Sequence, residues 1–255
     1  MKLLLLVVFN LFIIAAVALT SGSLNKSYAA QVPAIGDAAI SASATDYSAL
    51  FAKPATNAEL LKLSQSLSPS EQAKGNFTQA RYLKVLKKPL ISHGEFVFAN
   101  NIGVIWQQNK PFASTLILKN KQLIQIDSQG RVSVNHAEQA SANMMSDIMP
   151  KLLNALLSGD ITALKQHFEL SLIMSPAKTN NASSSPTSAQ WQLGLKPLDA
   201  MVQKAMPKLV LTGAQQIQSL VMFSDNGDRS HIEFSAVDES PLSDADKARY
   251  SPEAK

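Results

Sequence analysis

The chain contains no cysteine. That excludes disulfide support, a thiol nucleophile, a thiolate metal site and lipid attachment through a cysteine of this chain. Aromatic residues make up only 6% and charged residues 16% of the composition, so stacking platforms are few and no strong field is present for a phosphate backbone. The net charge of +4 rests on 23 basic against 19 acidic residues. Setting aside Lys2 and Lys26 of the N-terminal stretch leaves 21 against 19, a net +2. Nucleic acid is therefore not an expected partner. The motifs of familiar chemistry are also missing: there is no G-x-S-x-G elbow, Walker A loop, G-x-G-x-x-G turn or HExxH pair. The four histidines, His93, His136, His167 and His231, stand far apart in sequence. Asp225 and Asp228 flank Asn226-Gly227, and a type I′ hairpin turn accounts for them more simply than acid–base work. Asn76-Phe77-Thr78 and Asn181-Ala182-Ser183 match a glycosylation acceptor, a pattern short enough to arise by chance. No catalytic residue, metal ligand or cofactor is assigned from the sequence, and the chain is not expected to be an enzyme.

Long apolar runs are scarce as well. The one present follows Lys2 as LLLLVVFNLFIIAAVALT and gives way to SGSLNKSYAA, where Ser27-Tyr28-Ala29 sets small residues at the positions a signal peptidase reads. Residues 1–29 are read as a cleavable signal peptide; an uncleaved membrane anchor is the alternative, since the run approaches bilayer-spanning length. Residues 30–56, rich in Ala, Ser and Thr, read as a flexible lead-in.

What the chain has is apolar residues, 46% of it, in two periodicities. Leu60, Leu61, Leu63 and Leu67 form a helical stripe after an Asn57 cap, and Ser68-Pro69-Ser70-Glu71 has the form of a capping box opening a second helix. Six strand-like runs follow, NFTQARYLKVL, LISHGEFVFAN, GVIWQQ, STLILKN, QLIQIDS and RVSVNH, joined by Lys, Pro, Asn and Gly turns. Crossover helices are absent between them, so the meander is antiparallel. AEQASANMMSDIMPKLLNALLSGD then puts Met145, Ile148, Met149, Leu152 and Leu156 on one helical face. Gly159 ends that helix, Asp160 starts another, and FELSLIM is again a strand. Residues 175–189 form a polar low-complexity loop. Strands then resume as QWQLGLKP, KLVLTG, QIQSLVMFSD and RSHIEFSAV, with a short helix at LDAMVQKAMP. One domain is expected over residues 57–238, followed by a C-terminal tail at 239–255.

One stretch does not fit a sheet with a wet face. In GEFVFANNIGVIWQQNKP the apolar residues do not alternate: Phe96, Val97 and Phe98 are consecutive, as are Val104, Ile105 and Trp106. Both faces of this hairpin must be covered. A curved sheet with an apolar inner face, roofed by Met-rich helices that can lift, would enclose a greasy cavity.

Phe77-Thr78-Gln79, the glycine-led Gly94-Glu95-Phe96-Val97-Phe98, Trp106, Pro111 and the hairpin LILKNKQLIQID resemble, in order and spacing, the periplasmic outer-membrane lipoprotein carrier (LolA-like) family. The resemblance is dense over residues 70–135 and looser to about Val237. It implies an α+β fold: an incomplete, half antiparallel β-barrel whose strongly curved sheet carries an α-helical lid over a hydrophobic cavity. It further implies a monomeric periplasmic carrier that takes acylated lipoproteins from an inner-membrane transporter to an outer-membrane receptor without bond chemistry. The candidate cavity residues are Phe77, Phe96, Phe98, Val104, Trp106, Met145, Met149 and Leu152. Better-known members hold the lid shut with an Arg-Pro pair; here Asn100-Asn101 stand in those places, and Asn100 is the weak candidate latch. That departure and the polar loop point to a divergent branch, whose cargo could instead be a glycolipid or a lipid-linked pigment.

Overall fold

The structure is a computed structural model that describes residues 46–100, 102–120, 122–136, 152, 155, 158–175 and 190–251. Every strand-like run becomes a strand. β1 spans Gln72–Tyr82, β2 Leu90–Ala99, β3 Gly103–Lys110, β4 Ser114–Lys119, β5 Gln122–Ile126 and β6 Val132–His136. β7 is Phe168–Ser175, β8 Gln190–Pro197, β9 Lys208–Gly213, β10 Ile217–Phe223 and β11 Arg229–Asp238. They form one eleven-stranded sheet in the order β6-β5-β4-β3-β2-β1-β11-β10-β9-β8-β7, with every neighbouring pair antiparallel. The last strand returns to the first, with Phe77 opposite Phe234 and Tyr82 opposite Arg229. β6 and β7 remain the two edges of an unclosed sheet.

Helix α1, Asn57–Ser66, is opened by Thr56 and not by Asn57: the Thr56 side chain accepts from the Glu59 N–H, and the Glu59 carboxylate accepts from the Thr56 N–H at 2.8 Å. Leu60 and Leu63 on its inner face are fully buried. The second capping box does not form. Residues 67–71 run straight into β1, and the Ser70 hydroxyl donates to the Gln72 carbonyl, 2.7 Å away, because pairing of β1 on both edges outweighs a local helix start. Of the Met-rich helix, Leu152, Ala155 and Ser158 are described and helical, whereas Met145 and Met149 lie outside the described residues. Gly159, at φ +74, ends it, and Asp160 caps a 3-10 helix at Ile161–Gln166. Asp199 caps α2, Ala200–Ala205. The turn at Asn226-Gly227 is not type I′. Only Gly227 has positive φ, and Gly227 N–H donates to Ser224 O while Ser224 N–H donates to Asp228 O, a type I turn closed by a glycine bulge.

Both faces of the sheet are covered. On the concave side α1, the 3-10 helix, Leu152 and Ala155 pack on Leu193, Leu195, Leu209 and Leu211 of β8 and β9. On the convex side residues that the sequence reading gave to a flexible lead-in and a tail are seated on the sheet. Leu50 is buried against Val210 and Val221, with Tyr47 and Phe51 beside it. Gly194 makes room, because a Cβ there would meet the Phe51 ring at 2.7 Å. At the other end of the chain Leu242 and Tyr250 flank helix α3, Asp244–Ala248, and cover Val97, Ile105 and Ile117. Polar contacts tie that segment down: Lys74 pairs with Asp246 at 3.0 Å, Arg249 donates to Gln107 at 2.8 Å and the Tyr250 hydroxyl donates to the Gly103 carbonyl. The consecutive apolar residues of β2 and β3 are thereby explained, since Val97 and Ile105 face this cover while their neighbours face inward.

Candidate functional site

Side-chain direction alternates along a strand, so one parity of each strand faces the concave side. On β2 that parity holds Phe96 and Phe98, on β3 Val104 and Trp106, on β4 Leu116 and Leu118. Facing them across the curved sheet are Leu220 and Met222 of β10 and Ile232 and Phe234 of β11. Together these residues line a cavity of about 120 Å³. One water needs about 10–15 Å³ measured this way, so the space is no packing defect. Among the described residues its polar lining is Gln79, Gln216 and Glu239. Gln79 is spoken for, because its amide donates to the buried Ser230 hydroxyl at 2.6 Å.

The floor of the cavity is aromatic, and two glycines shape it. Phe77 lies opposite Gly94 on the neighbouring strand, and a Cβ on Gly94 would come within 2.6 Å of the Phe77 ring and 2.1 Å of the Gln107 carbonyl oxygen. The register also shifts at this point, between His93 and Gly94 against β3. Phe77 therefore lies flat on the strand, and Trp106 stacks on it at 3.8 Å between ring centroids with 21° between planes. In the same manner Phe96 lies over Gly75, opposite it on β1. Phe234 then meets Phe96 and Trp106 edge-on, at 5.4 and 6.4 Å. Such edge and offset contacts add about 0.5–1.5 kcal/mol each to the burial term, which holds the rings in fixed places.

The sequence-named residues distribute as follows. Phe96, Phe98, Val104 and Trp106 line the cavity. Phe77 sits one layer beneath, under Trp106, and is not a lining residue. Leu152 is buried in the core with Leu60, Leu63 and Phe168, beside the cavity and not in its wall. Asn100 lies in the β2–β3 turn with its side chain exposed and its N–H donated to the Glu71 carbonyl at 2.9 Å. The histidines are apart in space too: His93 meets Thr78 at 3.1 Å, and His231 on β11 is half-buried, its pKa lowered by that burial. Among the described residues no three acidic or imidazole groups gather as a metal site.

Residues 52–221 match the family described as outer membrane lipoprotein carrier protein LolA-like. The chain belongs to this family. Among solved structures it is similar to a LolA superfamily protein from Nitrosomonas europaea, 13% identical, TM-score 0.36, covering 73% of this chain and 94% of that one. A DUF1329 family protein from Desulfovibrio piger is 10% identical, TM-score 0.40, covering 75% and 94%. The MucA/MucB complex of Pseudomonas aeruginosa gives 13% identity and a TM-score of 0.37, covering 74% of this chain and 58% of that chain. No curated protein matches the sequence. The LolA-like fold accounts for the open sheet and its apolar concave face. Sequence reasoning missed the β4, β5, β10 and β11 walls. Leu116, Ile117 and Leu118 of β4 are consecutive, so their sequence does not say which face each takes; RSHIEFSAV does alternate, but bringing it to this cavity needed the pairing of β11 with β1, more than 100 residues away.

Proposed function

We propose that this LolA-like protein is a periplasmic carrier that shields the acyl chains of lipid-modified proteins and moves them from an inner-membrane transporter to an outer-membrane receptor. The observation that carries this reading is the apolar cavity walled by Phe96, Phe98, Val104 and Trp106 on one side and Leu220, Met222, Ile232 and Phe234 on the other. Export by a leader cleaved near Ala29 belongs to the same proposal, as does action as a monomer. The work is physical. An acyl chain gains about 0.8 kcal/mol per methylene on leaving water, so a dozen methylenes are held by roughly 10 kcal/mol. Release at a useful rate then requires an acceptor at least as apolar, or a cavity that opens. Met145 and Met149 are proposed to belong to the movable cover and Asn100 to be its weak latch.

Mass spectrometry of molecules carried by protein purified from its native host tests the proposal; an acylated molecule is expected. A peptide bearing an N-terminal acylated cysteine should bind if lipoproteins are the cargo, and be ignored if the chain serves a glycolipid or lipid-linked pigment. Trp106→Glu places a carboxylate in the wall and should abolish loading, since an unpaired charge is not tolerated against an acyl chain. Leu116→Glu, elsewhere in the same wall, should act alike. Unchanged loading in both folded variants would refute the assignment.

A further inference from the structure

Ten large hydrophobic side chains are exposed among the described residues, and seven of them stand at one end of the sheet. Register places them there. Arg81 lies opposite Leu90, His93 opposite Lys110, Tyr82 opposite Arg229, Phe223 opposite Lys208 and Leu195 opposite Leu209. The β1–β2, β3–β4, β8–β9 and β10–β11 connections therefore share an end. The first carries Val85, 88% exposed, and Leu86, with Leu90 and Ile91 at the start of β2; the second carries Phe112, 55% exposed; beyond β8 stand Leu198 and Met201 of the α2 segment. The other three, Leu61, Val134 and Ile173, lie elsewhere on α1, β6 and β7.

Charge at this end is mainly positive. Lys84, Lys87 and Lys88 sit in the β1–β2 connection, Lys110 at the end of β3 and Lys204 on α2, and none forms an ion pair among the described residues. The carboxylates nearby are mostly engaged: Asp127 holds Arg131, Asp199 caps α2, and Asp228 accepts from the Lys84 N–H and the Asn226 amide. Asp225 is the remaining one on the β10–β11 turn. Short apolar steps, Val85-Leu86, Leu90-Ile91 and Phe112, alternate with lysines along this end and lie outside the apolar cavity, whereas the anchors of a protein partner need desolvated pockets to fill. Such steps suit a fluid surface that offers both hydrocarbon and negative charge.

We propose that this rim docks the protein on an anionic phospholipid surface, with Val85, Leu86 and Phe112 entering the interface and the five lysines facing phosphate headgroups. The rim reaches about 30 Å measured along the sheet, wide enough to seat several turns at once. Gln216 and Glu239 of the cavity lie toward the opposite end of the strands, so docking and cargo binding are separable and either can fail alone.

Because the chain has no cysteine, Val85→Cys in the full-length protein accepts a single environment-sensitive fluorophore, and Gln215→Cys, exposed at the far end, serves as control. With vesicles of equal parts phosphatidylglycerol and phosphatidylethanolamine, the label at position 85 should shift to shorter wavelength and the control should not. Pure phosphatidylcholine vesicles should leave both unchanged. Each lysine near an anionic leaflet is worth about a fivefold gain in partitioning. Lys87→Gln together with Lys88→Gln should therefore weaken binding by roughly 25-fold. Equal response on neutral vesicles, equal response from the far-end label as the N-terminal apolar run alone would give, or an unchanged double variant each overturns the proposal. Absence of any vesicle binding does so as well, and would leave the rim to an acidic protein surface.

Discussion

Tyr250→Ala should destabilise the whole sheet, although Tyr250 stands only five residues before the last residue of the sequence. Its side chain is 1% exposed, packed with Leu242 over Val97, Ile105 and Ile117, and its hydroxyl donates to the Gly103 carbonyl at 3.2 Å. Truncating a buried aromatic costs about 3–5 kcal/mol when the surroundings cannot collapse. Of this the hydrogen bond accounts for about 0.5–1.5 kcal/mol, so Tyr250→Phe should lose only that part. If the weakened segment peels away instead, the loss is limited to its docking free energy, and Val97, Ile105 and Ile117 become exposed to water. Urea or thermal unfolding measures either outcome, at roughly 2–4 °C per kcal/mol for a chain of this size. Burial also holds the Tyr250 pKa above the ordinary phenol value of 10.0. The neutral phenol is the folded form, so its stabilisation is complete below pH 10 and declines as pH rises toward the raised folded value. Tyr250→Phe should remove that alkaline decline. A Tyr250→Ala protein within 0.5 kcal/mol of wild type, as for a substitution on a free tail, would refute the seating of this segment.

Gly94→Ala should cost about 1–3 kcal/mol or more, because the added Cβ meets the Gln107 carbonyl oxygen, which is backbone and cannot step aside, as well as the Phe77 ring. Chemical denaturation measures it; a neutral effect would mean that Phe77 does not lie over the strand. On the acid side, hydrogen bonds from Ser243 and Lys74 hold the Asp246 carboxyl below the ordinary 3.8. Its contribution to seating α3 is therefore present above that ordinary value and lost as pH falls through the lowered folded one. The protection of the Lys247 and Tyr250 amides against hydrogen exchange, relative to the free-peptide rate at each pH, should fall there, and Asp246→Asn should show the lower protection already at neutral pH.

The sheet was legible in the sequence because its turns are written in local chemistry. Asn, Gly, Pro and Lys bound each run, and the runs themselves carry β-branched and aromatic residues. Phe96, Phe98, Val104 and Trp106 were named as cavity residues with the facing of their strands left open, because a one-residue slip reverses it; the β2–β3 register puts them on one face. Phe77 was named with them because parity cannot tell a wall from the layer beneath it; that difference is made by Gly94 on the opposing strand, which lets the ring drop and Trp106 cover it. The two convex covers were not legible. Leu50 and Phe51 stand in an Ala/Ser-rich stretch, and Leu242 and Tyr250 in a Ser/Asp/Ala-rich one, so neither shows a periodic stripe. A local signal did exist in the second: Ser243-Asp244-Ala245-Asp246 forms a capping box, with Leu242 just before it. What no local rule supplies is the apolar surface of β2–β4 that makes this short helix worth forming.

The covers bear on function through stability. Side chains that must stay available to a ligand forgo part of the packing energy that a filled core supplies. A sheet whose only core was the concave one would lose that part from the same side chains. Here Val97, Ile105 and Ile117 are packed under Leu242 and Tyr250, and Val210 and Val221 under Leu50. Those contacts use the opposite parity of strands that wall the cavity or adjoin it, so they hold the sheet's curvature without occupying its interior. Removing a cover should therefore loosen the cavity wall as a whole, whereas filling the cavity should stabilise the fold and leave the covers as they are. A concave face that can remain partly empty depends on a convex face that is full.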